Sequence, residues 1–295
     1  MGHTIADIRR NLGLLLQSAF HFTINGPMSK KRDIPVFNHP IIETHCHLDY
    51  LKEMPVADIL AETERVNVER VITIAVAPDN LASVRQIVTA HSNVFGTQGI
   101  HPHEAELFTD AVEAEIREHA AALDKIVAIG EIGLDYYYDH ADRDVQREVF
   151  ARQLQIAADL DLPVVIHSRN ADDDTIAILR DFEDHVRRRG VIHSFTSGPG
   201  LARYAIDSGW CLGFNGIATF NKAENVRDII AMTPLEHILL ETDAPFLTPI
   251  PYRGRENAPF YIPFVAEKVA DVKGVSVEAL LPIVHANSLR VFWPE

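Results

Sequence analysis

The sequence predicts an α/β protein, a single (β/α)8 TIM-type barrel with a metal site at the C-terminal ends of its strands. Three observations lead there: eight short apolar runs, helical patterns between them, and histidines and carboxylates at the run ends. The runs are residues 41–44, 70–76, 94–100, 126–129, 163–166, 191–192, 210–214 and 237–240. Several are rich in Val and Ile, as strands covered on both faces are. The clearest helix spans 144–160, where Phe150, Leu154, Ala157 and Ala158 share one face. Asp161 and Pro163 then end it before the next strand. Eight strands alternating with helices imply a parallel sheet, and eight is the number that closes into a barrel.

The first forty residues read differently. Residues 5–22 could form a short helix, Asn25-Gly26-Pro27 breaks it, and Met28-Ser29-Lys30-Lys31-Arg32 looks like a chain beginning afresh. Residues 1–40 are expected to be an N-terminal extension, with the domain proper from about Asp33. A start assigned too early and an ordered helix packed on the barrel floor are equal readings of it. The barrel is expected over 41–295, close to the ~250 residues typical of the fold.

Composition narrows the function. Acidic residues number 42 against 27 basic, a formal charge of −15, which excludes a broad basic face wrapping a nucleic-acid backbone. It leaves room for a protein that meets phosphate through metal in one pocket. Two cysteines in 295 residues exclude a disulfide framework and point to a reducing, cytoplasmic setting. The apolar run at 12–16 is far shorter than the ~20 residues a membrane span needs. No membrane contact and no obligate protein partner is implied.

A parallel barrel carries its chemistry where its strands end. The first run leads into Thr44-His45-Cys46-His47-Leu48-Asp49, and residues two apart on a strand face the same side, so both imidazoles can converge on one ion. Glu131 and Asp135 follow the fourth run, His167 the fifth, His193 the sixth, and Glu241 and Asp243 the eighth. Any one of these alone is more simply a core, turn or cap residue. Together they place imidazole and carboxylate from five strands on one rim, a donor set for Zn, Mn, Fe or Ni, or for Mg where carboxylates and water dominate. Alternation turns Cys46 away from its histidine neighbours, and Cys211 lies on a strand, so both are expected as core.

Five motifs in order make the sequence resemble the TatD family of metal-dependent deoxyribonucleases, within the metallo-dependent hydrolase superfamily. They are Thr44-His45-Cys46-His47-Leu48-Asp49, Gly130-Glu131-Ile132-Gly133-Leu134-Asp135-Tyr136-Tyr137, Leu162-Pro163-Val164-Val165-Ile166-His167-Ser168-Arg169, His193-Ser194-Phe195-Thr196 and Glu241-Thr242-Asp243-Ala244-Pro245. The resemblance runs from about Ile41 to Phe292. It implies two divalent ions (Mg, Mn or Zn). His45, His47 and Asp243 would hold one, His167 and His193 the other, with Glu131 bridging. Such a pair can activate hydroxide at neutral pH and stabilise both oxygens of an in-line displacement. Asp243 is the candidate general base, with pure ligation as its competing role, and Glu241 is expected to orient a ligand from deeper in the barrel.

Substrate contacts are expected at two further places. His101 or His103, after the third strand, could face a substrate phosphate, a structural turn being the other reading. Arg253 and Arg255 lie where the family carries an Arg-Gly-Lys-x-Asn-Glu-Pro loop and could meet phosphate oxygens. Here Glu256 stands where a basic residue is common and Ala258 where a glutamate is usual. Asn287 and Phe292 match the family's closing helix, as a structural hydrogen-bonder near the eighth strand and as core. The implied activity is hydrolysis of DNA phosphodiesters, exonucleolytic and on single strands or 3′ ends. The rivals are a related barrel hydrolase of small amides or phosphoesters, RNA or damaged 3′-end processing, and a scaffold without catalysis.

Overall fold

A computed structural model describes residues 32–294. Residues 1–31, which hold most of the expected N-terminal extension, lie outside the described residues. Within 32–40, Arg32 pairs with Glu267 and Ile34 and Phe37 pack on the barrel.

The strands are β1 (Ile41–Cys46), β2 (Val68–Thr73), β3 (Val94–Gln98), β4 (Ile126–Asp135), β5 (Val164–Arg169), β6 (Gly190–Ile192), β7 (Cys211–Phe214) and β8 (Ile238–Leu240). They form one sheet in sequence order, every neighbouring pair parallel. Helices α1 (Val56–Arg65), α2 (Leu81–Ala90), α3 (Asp110–Ala122), α4 (Arg143–Leu160), α5 (Asp172–Asp181), α6 (Pro199–Asp207) and α7 (Glu224–Met232) alternate with them, and α8 (Ile262–Lys273) and α9 (Val277–Phe292) follow β8. All eight expected strands are present. β2 and β3 stop short of the expected 76 and 100, whereas β4 and β5 run on to Asp135 and Arg169. Glu131, Asp135 and His167 therefore sit on strands rather than after them.

Two apolar layers divide the strands by alternation. One side packs on the helices. The other, with Ile72, Ile74, Val127, Val165, Val191, Cys211 and Leu239, fills the barrel, where Phe292 and Trp293 join it. Cys46 and Cys211 are fully buried, and Asn287 donates to the carbonyls of Leu235 and Ile238 at 2.8 and 2.9 Å, as expected.

The seam between β1 and β8 is closed by single hydrogen bonds. Asp243 N donates to His45 O at 2.9 Å and His47 N to Ala244 O at 2.7 Å. Thr44 Oγ1 donates to Leu240 O at 2.9 Å. Beneath them one oxygen of the fully buried Glu43 accepts from the amides of both His45 and Thr242, each at 3.0 Å. Burial pushes the Glu43 carboxyl well above its usual range despite these bonds.

Gly133 shows how tightly β4 and β5 meet. Its φ is +138°, and a Cβ there would lie 2.0 Å from the His167 carbonyl oxygen. Gly200, on α6, has open space at the same position. Gly133→Ala is expected to lower unfolding stability by about 3 kcal/mol. Gly200→Ala should raise it by roughly 0.5 kcal/mol, since alanine is the better helix former. Chemical denaturation of the two variants checks the opposite signs.

Candidate metal centre

Glu131 is the hub of the mouth. Its Oε2 lies 3.4 Å from His45 Nε2. Its Oε1 lies 2.7 Å from His193 Nε2, 3.1 Å from His167 Nδ1 and 3.4 Å from His101 Nε2. On the β1 side, Asp243 Oδ1 is 3.5 Å from His47 Nε2 and 3.7 Å from His45 Nε2. Asp243 has a φ of +58°, a left-handed conformation that aspartate tolerates better than most residues. The His45 and His193 rings stack in parallel at 3.8 Å. All six residues expected to bind metal thus come together, from five strands.

The donor atoms fit a cation. His45 is fully buried, and neither of its ring nitrogens has a hydrogen-bond partner, an arrangement that costs free energy unless something else engages them. Within this cluster, His45, His47 and Asp243 offer atoms within 4.8 Å of one another, and so do His45, Glu131 and His193. His101, Glu131 and His167 form a third such group. Imidazole with carboxylate is the donor set that transition-metal ions take.

Hydrogen bonds fix which nitrogens are free. His47 Nδ1 faces the Ile74 carbonyl at 3.4 Å; a carbonyl only accepts, so Nδ1 carries the proton and Nε2 presents its lone pair to the site. His101 is the opposite. Its Nδ1 accepts from the His103 backbone N–H at 3.1 Å, so in the neutral ring Nε2 carries the proton and points a donor at the mouth. Burial and the neighbouring His103 hold the His101 pKa well below its usual value, which keeps the ring neutral. His101 is therefore better suited to meet a substrate oxygen than to ligate.

Charge in the cluster is strongly coupled. Burial would raise the Glu131 pKa, but His193, His101 and the hydrogen bonds from His167 and His193 hold it well below the usual range. Burial opposes protonation of His193, yet the Glu131 carboxylate draws its pKa well up. Burial and His193 lower that of His45.

Sequence reasoning places Asp135 among the rim carboxylates; the structure gives it a positioning role. Its Oδ2 lies 3.0 Å from both His167 Nε2 and His103 Nε2, and its Oδ1 accepts from the amides of Tyr137 and Tyr138. An ionised carboxylate only accepts, so His167 donates from Nε2 to Asp135, and its Nδ1, 3.1 Å from Glu131, is the nitrogen whose proton a cation would replace. Gln146 on α4 pins the Asp135 backbone through a bond at 2.9 Å. The signal was a buried glutamine on the apolar face of a helix. Glu241, fully buried, accepts from Ser194 N at 2.6 Å and lies 3.7 Å from His193 Nδ1. It holds the turn that carries His193, from the depth expected of it.

The expected substrate arginines stand apart from this cluster, on the loop after β8. Both are exposed. The Arg253 guanidinium lies 3.8 Å over the Phe220 ring and that of Arg255 lies 5.7 Å from the Tyr252 ring. The two residues at which this loop departs from the family pattern, Glu256 and Ala258, have structural roles. Glu256 accepts from the amides of Lys52 and Glu53, tying this loop to the one after β1, and Ala258 is buried beside Tyr261 and Phe264.

An eight-stranded parallel barrel with such a cluster at its mouth has the architecture of a metal-dependent hydrolase. Residues 42–293 match the family model described as TatD related DNase, and the chain belongs to that family. It is 38% identical over 256 residues to the uncharacterized metal-dependent hydrolase YcfH of Escherichia coli (strain K12), covering 85% of this chain and 95% of that protein. It is 32% identical over 270 residues to Deoxyribonuclease Tat-D of Schizosaccharomyces pombe, covering 79% and 86%. The crystal structure of YJJV, a TatD homolog from Escherichia coli K12, matches with a TM-score of 0.79 at 28% identity, over 85% of this chain and 97% of that one. The protein is a metal-dependent hydrolase of the TatD family.

Asp135→Asn keeps the acceptor for Tyr137 and Tyr138 but replaces the oxygen that faces the two histidines with a donor. It is expected to lower affinity for Zn or Mn 10–100-fold, read by equilibrium dialysis, with the far-UV circular dichroism spectrum unchanged.

Proposed function

We propose that this protein hydrolyses phosphodiester bonds of DNA, removing nucleotides from an end of a single strand, with 3′ ends as the expected substrate. The observation that carries this reading is the two-sided placement of Glu131, one oxygen toward His45 and the other toward His167 and His193. His45, His47 and Asp243 would hold one divalent cation (Mg, Mn or Zn) and His167 and His193 a second, with Glu131 shared between them. Bound there, the cations would supply Lewis acidity toward phosphoryl oxygens and lower the pKa of water.

This chain's own residues do the rest. Asp243, partly exposed at the mouth, takes the proton of the attacking water and returns it to the leaving alkoxide. His101 donates from Nε2 to a phosphoryl oxygen, and His103, set by Asp135, flanks it. Arg253 and Arg255 grip phosphates along the strand; among the described residues neither forms an ion pair. The deoxyribonuclease name of the Schizosaccharomyces pombe relative supports a DNA substrate. The two free, buried cysteines suit a cytoplasmic setting, and among the described residues no helix is long and apolar enough to cross a membrane.

The test is turnover of 5′- and 3′-labelled single-stranded DNA with Mg, Mn or Zn, beside small phosphoesters, amides and RNA. Glu131→Gln is expected to keep the fold and abolish cleavage. Wild-type rates in that variant would remove the shared carboxylate from the mechanism, and turnover of small amides alone would move the substrate class. Binding should also depend weakly on salt. Two phosphate contacts give a log–log slope of about −1.4 on a single strand. A slope several times steeper would contradict so few contacts.

A further inference from the structure

Beside the metal centre lies a feature that hydrolysis itself does not use. An open cleft of about 730 Å³ is lined by Tyr136, Tyr137, Arg169, Asp172, Ser197 and Gly198 among others. Arg169 is two residues beyond the candidate ligand His167 and Tyr137 two beyond Asp135, which orients that histidine, so the cleft begins beside the metal centre. Tyr137 is one of four large hydrophobic side chains exposed among the described residues, at 51%. Its ring is braced: the Arg169 guanidinium lies 4.3 Å from the Tyr137 centroid and 5.0 Å from that of Tyr138. The two rings meet edge-on at 4.9 Å.

The opposite wall is acidic. Asp172, Asp173 and Asp174 form the first turn of α5. Asp172 accepts from Gly198 N at 3.1 Å and Asp174 from Tyr136 Oη at 2.6 Å. Asp174 is already paired with Arg147 at 3.1 Å, so a phosphate entering here would face the carboxylates of Asp172 and Asp173 against the Arg169 guanidinium. A flat, uncharged ring would meet an exposed aromatic face and hydrogen-bond acceptors, which is the environment that accepts a nucleobase.

We infer that this cleft is a nucleobase subsite, in which the exposed ring of Tyr137, braced by Arg169, stacks a base of the strand whose phosphate would reach the metal centre. The inference rests on the DNA reading and extends it: the strand is held by a base on the β4–β5 side and by its backbone on the β8 side.

The experiment compares kcat/KM on a short labelled single-stranded oligonucleotide with that on a counterpart whose bases are replaced by tetrahydrofuran residues. Wild type, Tyr137→Ala and Tyr137→Phe are each measured with metal bound. Wild type is expected to favour the base-bearing strand by about tenfold, expressed mainly in KM. Tyr137→Ala should erase that preference and Tyr137→Phe, which keeps the ring, should retain it. Equal turnover of both strands by wild type, or an undiminished preference in Tyr137→Ala, overturns the subsite and leaves the DNA reading standing. Turnover of neither strand removes the DNA reading and the subsite together.

Discussion

Closure of the barrel at the β1–β8 seam is the constraint on which the site depends. The hydrogen bonds that shut the cylinder run between residues that are, or adjoin, the candidate ligands: Asp243 to His45 and His47 to Ala244. Registration of the seam and convergence of the β1 side of the centre are therefore one event. Below it, Glu43 accepts from the backbone amides of His45 and Thr242 and so holds both chains at a common height. Shifting that register by one residue would turn His45 away from Glu131, because successive side chains on a strand face opposite sides.

The same closeness concentrates charge. Glu131, Asp135, Glu241 and Glu43 are all buried within one end of the cylinder, where uncompensated carboxylates are costly. Five imidazoles, of His45, His101, His103, His167 and His193, lie within 4 Å of Glu131, Asp135 or Glu241, and Glu131 and Asp135 stay ionised because histidines face them. Cations in place of the imidazole protons would satisfy the same carboxylates without requiring any imidazole to be charged. His45 fits that exchange most directly, since both its nitrogens are buried and unpartnered.

Much of this was legible in the sequence, for a definite reason. Strands covered on both faces leave uninterrupted apolar runs, and a barrel puts chemistry at their ends, so the rim histidines and carboxylates could be found by position, and the resemblance to the TatD family implied which six of them would ligate: His45, His47, Glu131, His167, His193 and Asp243. What the sequence hid was orientation. Asp135 stood inside a quoted motif, yet its service to His103 and His167 depends on where β4 ends, six residues later than the apolar run suggested. Gln146 and Gln153 sit on the inner face of α4 and bond the backbones of Asp135 and Ile100. A polar residue repeating at seven-residue spacing on an apolar face was the available trace. Roles that depend on ring tautomers, such as that of His101, have no sequence signature at all.

The strongly acidic surface and a nucleic-acid substrate are compatible once attraction is treated locally. A field of −15 spread over the molecule is screened beyond roughly 8–10 Å at physiological salt. Inside that range lie the candidate metal-binding histidines and the Arg169 guanidinium over its tyrosines, with Arg253 and Arg255, which form no ion pair among the described residues, on the loop after β8. The acidic wall of α5 repels backbone phosphates without repelling a base. A long duplex, presenting phosphates everywhere, would meet net repulsion, whereas on the proposed reading a single-strand end would turn its phosphate to the candidate metal centre and its base to the cleft. If the proposed DNA substrate holds, the protein's charge would select for strand ends as much as it limits affinity.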